Sequence, residues 1–171
     1  SANKGRHDEA LAYYRQIVES NGVNEEIQSA LAGMENIYRQ LNKPGEYLAY
    51  LDKIGMSQTK SASEREMMLF NSAEQVFLSG DYTAAINALH TFLEKFPKGA
   101  KSSHATFYIA ESYNKLGKAE AAAEAYMKVM MEGAEGAFAE VSTLNYGKLS
   151  YQLQKYEEAA KKINRDQLYD V

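Results

Sequence analysis

Three histidines and 23 carboxylates are the groups in this chain that could carry acid–base or metal chemistry. His7, His90 and His104 are far apart, and no two share a helix turn, so the spacing builds no metal site. His90 lies beside the apolar Leu89 and reads as a surface residue. The carboxylates fall mostly in stretches such as "EREMM" and "YEEAAKK", which read as solvated helix faces rather than paired general acids and bases. Gly133 and Gly136 lie in a turn between helices and do not form a phosphate-cradling loop. No serine sits in a strand–turn–helix elbow, because no segment reads as a strand. With cysteine absent, thiolate chemistry, zinc–thiolate sites and disulfides are excluded. The expectation is a chain that is not an enzyme and uses no cofactor or metal.

The elements that would position any surface are set by a repeat. A turn position recurs at Gly5, Asn42, Gly80, Gly117 and Gln154, in steps of 37, 38, 37 and 37. Five residues after each stand Ala10, Tyr47, Ala85, Ala122 and Ala159. A fixed period of this length signals stacked supersecondary units. Glycine, or asparagine as its best substitute, adopts the left-handed backbone that a tight helix–helix turn needs. Four of the five positions meet that need; Gln154 does not. The alanines let the second helix of a pair approach the first, where Ala73, Ala110 and Gly147 are the matching small residues. Glu35 and Tyr47 break these rules in their repeat. Larger residues fill the space between: Tyr38, Val76 and Tyr113 on first helices, and Tyr14, Leu51, Leu89, Tyr126 and Ile163 on second ones.

Between the turns the apolar period is helical, as in Ile86, Leu89, Phe92, Leu93 and Phe96. The pattern predicts helices near 6–19, 24–41, 45–55, 61–79, 82–96, 100–116, 118–131, 135–153 and 155–165. The connections are short, so 1–171 is expected to form a single array. The composition fits a folded chain, with 45% hydrophobic and 25% charged residues. A net charge of -4 gives no electrostatic case for nucleic-acid binding. No apolar run approaches a membrane span and no signal peptide is visible. The chain opens in mid-repeat at Ser1-Ala2-Asn3, and is read as a piece of a longer precursor, a secreted one included.

These features together resemble the tetratricopeptide repeat (TPR) family. The first-helix small residue and tyrosine, the turn glycine, the aromatics Tyr82 and Tyr156, Ala85 and Ala159, and the repeat-ending Pro97 carry the resemblance. It covers a half repeat (1–20) and repeats of about 21–57, 58–97, 98–134 and 135–171. The match is weakest at the end, where Asp166 occupies a place that should be apolar. Each unit is about three residues longer than the 34 of the family. The stretch "FLEKFPKGAKSSHATFYIAESYNKLGKAEAAAEAYMKVM" looks like the TPRs of bacterial cell-envelope proteins, among them the outer-membrane assembly lipoprotein and the Tol-associated periplasmic factor. That likeness implies a periplasmic or cell-envelope location, with the cytoplasm as the alternative.

The resemblance implies an all-α, right-handed superhelical TPR solenoid of antiparallel helix pairs, working as a protein–protein interaction scaffold. Its inner face, carried over place by place, is Asn36, Arg39 and Gln40; Met67, Phe70, Asn71, Glu74 and Phe77; His104, Phe107, Tyr108, Glu111 and Asn114; and Leu144, Asn145, Lys148 and Tyr151. Phe70, Phe77, Phe107 and Tyr108 are more aromatic surface than a solvated face needs, which points to partner anchoring. Lateral packing against a neighbouring first helix explains Phe70, Phe77 and Phe107 equally well. TPRs that clamp acidic chaperone C-termini need basic inner-face residues. Here the fifth places hold Ala32, Phe70, Phe107 and Leu144, and the ninth Asn36, Glu74, Glu111 and Lys148. Two glutamates would repel a terminal carboxylate. The expected partner is a neutral or basic protein segment with apolar anchors, bound without membrane insertion. The alternative is a structural spacer or self-associating section of a longer array.

Overall fold

Asn42 and Gly117 show how the sequence period becomes a chain reversal. Both have left-handed backbones, with φ of 54° and 74°. Past Asn42, the Lys43 N–H donates to the Tyr38 carbonyl at 2.8 Å; past Gly117, Lys118 N–H donates to Tyr113 at 2.9 Å. Each turn thus satisfies carbonyls that a helix end leaves open, and turns the chain back in two or three residues. In the computed structural model, residues 2–169 are described, with side chains up to residue 165. They form α1 (Ala2–Glu19), α2 (Asn24–Gln40), α3 (Pro44–Lys53), a 3₁₀ turn (Ser57–Thr59), α4 (Ala62–Leu78), α5 (Tyr82–Lys95), α6 (Ser102–Lys115), α7 (Ala119–Met131) and α8 (Ala137–Tyr169). The fold is all-α, and among the described residues there is no strand.

Helix starts follow local chemistry. Pro44 opens α3 at a position where its missing N–H costs nothing. Ser61 and Glu64 cap α4 reciprocally: Glu64 N–H donates to Ser61 Oγ at 3.1 Å and Ser61 N–H to Glu64 Oε1 at 3.2 Å. Hydrogen bonding from Ser61 to the Glu64 carboxyl, its backbone N–H first, holds that carboxyl below its usual range. Asp81 Oδ1 accepts from Ala84 N–H at 3.1 Å ahead of α5. After Pro97, Ser102 Oγ accepts from Gly99 N–H at 2.7 Å and donates to the Phe96 carbonyl at 2.5 Å.

The chain divides into two compact units, Ser1–Ser72 and Ala73–Val171, with the boundary inside α4. The first has its core among α1, α2 and α3, where Met34 and Leu51 are fully buried and Tyr38 stacks on Tyr47 at 6.3 Å. Tyr47 takes the place that alanine holds in the other repeats, and its burial, then the Glu35 charge, pushes its hydroxyl up to about 12. Glu35 itself meets Lys60 Nζ at 2.6 Å and Arg39 at 3.0 Å. The two exceptions to the small-residue rule are therefore accommodated by a ring stack and an ion-pair group.

In the second unit the small-residue rule holds for its first two helix pairs and fails in α8, where Gly147 and Ala159 are exposed. Ala73 and Ala85, and Ala110 and Ala122, are all buried. Leu89, Phe92, Tyr126 and Val129 fill the space around them. Two sequence expectations are corrected. Gly5 is not a turn; it lies inside α1. Gln154 is not a turn either: the helices expected at 135–153 and 155–165 are one continuous helix of 33 residues, α8. Glutamine pays a steric penalty in the left-handed region and propagates a helix well, so the chain runs straight through. The expectation concerning Asp166 lies outside the described side chains.

Candidate functional site

The inner-face residues of the second unit come from the end of α4, from α6 and from the first half of α8. They are joined by hydrogen bonds at a constant separation in sequence. Tyr108 Oη donates to Glu74 Oε2 at 2.6 Å. One repeat later Asn145 Nδ2 donates to Glu111 Oε1 at 3.4 Å, the two pairs being each 34 residues apart. Glu111 also accepts from Tyr126 Oη at 2.5 Å, and Asn145 Nδ2 donates to that same hydroxyl at 3.1 Å. Burial, then the hydrogen bond to the glutamate, raises both the Tyr108 and the Tyr126 hydroxyl well above the usual tyrosine range. Both phenols are therefore neutral donors at physiological pH, and each glutamate is held in one orientation.

Around these clamps runs a row of rings. Phe77 stacks on Tyr108 at 4.2 Å and meets Tyr82 edge-on at 5.8 Å. His104 lies 4.5 Å from Tyr108 and 4.3 Å from Phe138, and Phe138 lies 5.0 Å from Phe107. Phe107 meets the buried Tyr126 edge-on at 6.3 Å. Burial is the main cause that holds His104 below the usual histidine range, against the opposing effect of Glu74 and with that of Lys101. It is a neutral ring in this row.

The sequence-derived set therefore separates into four groups. Phe70 is buried, with 2% of its surface exposed, so it offers no accessible ring. Phe77, Phe107, Tyr108, Glu74 and Glu111 are half-buried members of the ring row and its clamps. Asn114, Lys148 and Tyr151 are exposed, Tyr151 at 63% with Lys155 Nζ 5.3 Å from its ring centre. Asn36 and Arg39 belong to the first unit; both are exposed on α2, with Arg39 paired to Glu35.

Two contributors were missed by the sequence reading. Phe138 joins the ring row, and its position early in α8 shows no periodic signal. The repeat spacing makes Tyr126 a space filler, which it is, yet its hydroxyl fixes Glu111. The first unit carries a separate cleft of about 670 Å³ lined by residues including His7, Asp8, Arg15, Tyr38 and Glu46. There Arg15 Nη2 donates to Tyr38 Oη at 2.8 Å. Among the described residues, no three His, Asp or Glu side chains are grouped to hold a metal ion. No helix among them is long and apolar enough to cross a membrane.

Two family models, each described as tetratricopeptide repeat, match residues 36–99 and 79–138 and together cover more than half of the chain. No curated protein and no solved structure matches it.

Proposed function

The chain belongs to the tetratricopeptide repeat family, and on that premise we propose that it is a non-catalytic scaffold docking a segment of a partner protein on the α4–α6–α8 face of its second unit. The family is a protein–protein interaction module, so a protein partner is the starting point. The observation that carries the finer reading is the preorganised row of rings with two oriented glutamates, Glu74 and Glu111. Orienting groups in advance lowers the ordering cost of binding, and half-exposed rings supply apolar contact. Each glutamate has a second oxygen that a Lys or Arg of the partner can meet. Leu144 and Tyr151, 57% and 63% exposed, extend the apolar surface along α8. The segment favoured by this chemistry is neutral or basic with apolar anchors. For location we propose the periplasm or cell envelope, on the likeness of residues 92–130 alone, with the cytoplasm as the alternative.

The test is peptide-library display on the intact chain, with counter-selection on Glu111→Gln and Tyr151→Ala. The expected outcome is enrichment of sequences pairing Lys or Arg with aromatic or aliphatic residues, with affinity lowered about tenfold or more by either substitution. Enrichment of acidic C-terminal sequences, or binding indifferent to both substitutions, overturns the reading.

A further inference from the structure

The continuous α8 leaves one helix–helix interface of the repeat unmade. In the preceding repeat that interface consists of Thr106 and Ala110 on α6 against Ala122 and Tyr126 on α7, with exposures of 3%, 0%, 0% and 0%. Thirty-seven residues on, the corresponding positions are Thr143, Gly147, Ala159 and Ile163, and all four are exposed, Ile163 at 57%. Both halves of a self-complementary contact thus lie open on the same helix. One continuous helix cannot fold back on itself, so its two halves cannot cover each other. Residues 154–165 are exposed without exception.

A place to receive the second half is also present. Between α7 and α8 runs an open cleft of about 380 Å³, lined by residues including Glu120, Ala123, Glu124, Tyr146 and Leu153. In the preceding repeat the matching position, between α5 and α6, is where α7 lies; Glu124, Ala125 and Lys128 of α7 line what space remains there. Their counterparts one period later are Lys161, Lys162 and Arg165. The segment is basic where it would face a cleft bordered by Glu120 and Glu124, so charge complements shape.

We infer that α8 is a swapped element: residues 155–165 of one copy dock into the α7–α8 cleft of a second copy, and the exchange is reciprocal. The occupant is a second copy because the apolar pattern, the small-residue contact and the charges all belong to this chain's own repeat. A two-fold axis near Gln154 lets the same surface serve both partners and closes the assembly at two. Gln154 is the hinge, since a glycine there would allow the reversal seen at Gly80 and Gly117. This inference stands apart from the ring row and its proposed partner.

The experiment mixes intact chains that carry a single cysteine each, Gly147→Cys and Ala159→Cys, in a protein that has none of its own. Under mild oxidation the mixture is expected to give a disulfide-linked heterodimer well beyond what either chain gives alone. Light scattering on the unmodified chain should give twice 19.1 kDa. Ile163→Asp, at a position exposed within one chain, should leave the helix content intact and weaken dimerisation at least about tenfold. Gln154→Gly should shift the chain towards a monomer. A monomer at high micromolar concentration, or a mixture that gives no more disulfide-linked heterodimer than either chain alone, overturns the inference.

Discussion

Removing the hydroxyl of Tyr126 tests whether the glutamate clamps hold the second unit together. The ring is fully buried, and its Oη donates to Glu111 Oε1 at 2.5 Å while accepting from Asn145 Nδ2 at 3.1 Å. Tyr126→Phe keeps the ring and its contact with Phe107, so the loss is confined to two hydrogen bonds. A bond to a charged acceptor contributes about 1.5–3 kcal/mol and a neutral one about 1. Glu111 and Asn145 are half-buried, so water replaces part of what is lost, and they keep their own 3.4 Å contact. The expected cost is about 2 kcal/mol, nearer the lower sum than the upper. With a urea slope of about 2 kcal/mol/M, the midpoint of the transition carrying α6, α7 and α8 falls by about 1 M. Far-UV circular dichroism reads the midpoint, and hydrogen exchange assigns it to those helices. Combined with Glu111→Gln, the cycle should show coupling of about 1 kcal/mol or more. A pH series adds a second reading. Because folding raises the Tyr126 value above the ordinary 10.0, its contribution is complete below pH 10 and is lost as pH rises through the folded-state value. Tyr126→Phe lacks that part of the alkaline loss. A cost under about 0.5 kcal/mol, or additivity with Glu111→Gln, refutes the clamp as a stabilising element.

Two further outcomes follow from the same unit. Ala110→Leu places three extra carbons between helices that meet at fully buried alanines, and should cost about 1–3 kcal/mol by chemical denaturation; a neutral result would show that the α6–α7 contact is loose. For His104 the folded state resists protonation, so its contribution is complete above the ordinary 6.5 and is lost as pH falls below it. Glu74 and Lys101 act on that ring in opposite directions, and His104→Phe should flatten the stability profile on the acid side of pH 6.5. Parallel acid-side profiles for the two chains would remove His104 from the pH response.

The sequence by itself determined the hairpins and their contacts wherever a turn residue and a small pair recur. Asn42, Gly80 and Gly117 have the left-handed backbone the period requires, and Ala73, Ala85, Ala110 and Ala122 are buried where the spacing puts them. These are local or near-neighbour constraints, set by the sterics of one residue or one helix pair. Gln154 was already the one turn position of the wrong chemistry, yet only the structure decided that α8 runs on through it and uncovers Gly147 and Ala159. Which aromatics are accessible was also beyond the pattern. Phe70 and Phe107 hold the same place in successive repeats, but one is buried and the other half-exposed, 5.0 Å from Phe138. Burial of that kind, and hydrogen bonds between residues 34 apart, depend on how successive helices are offset along their axes. That offset is fixed by the packing of many side chains at once, so no single residue's spacing encodes it.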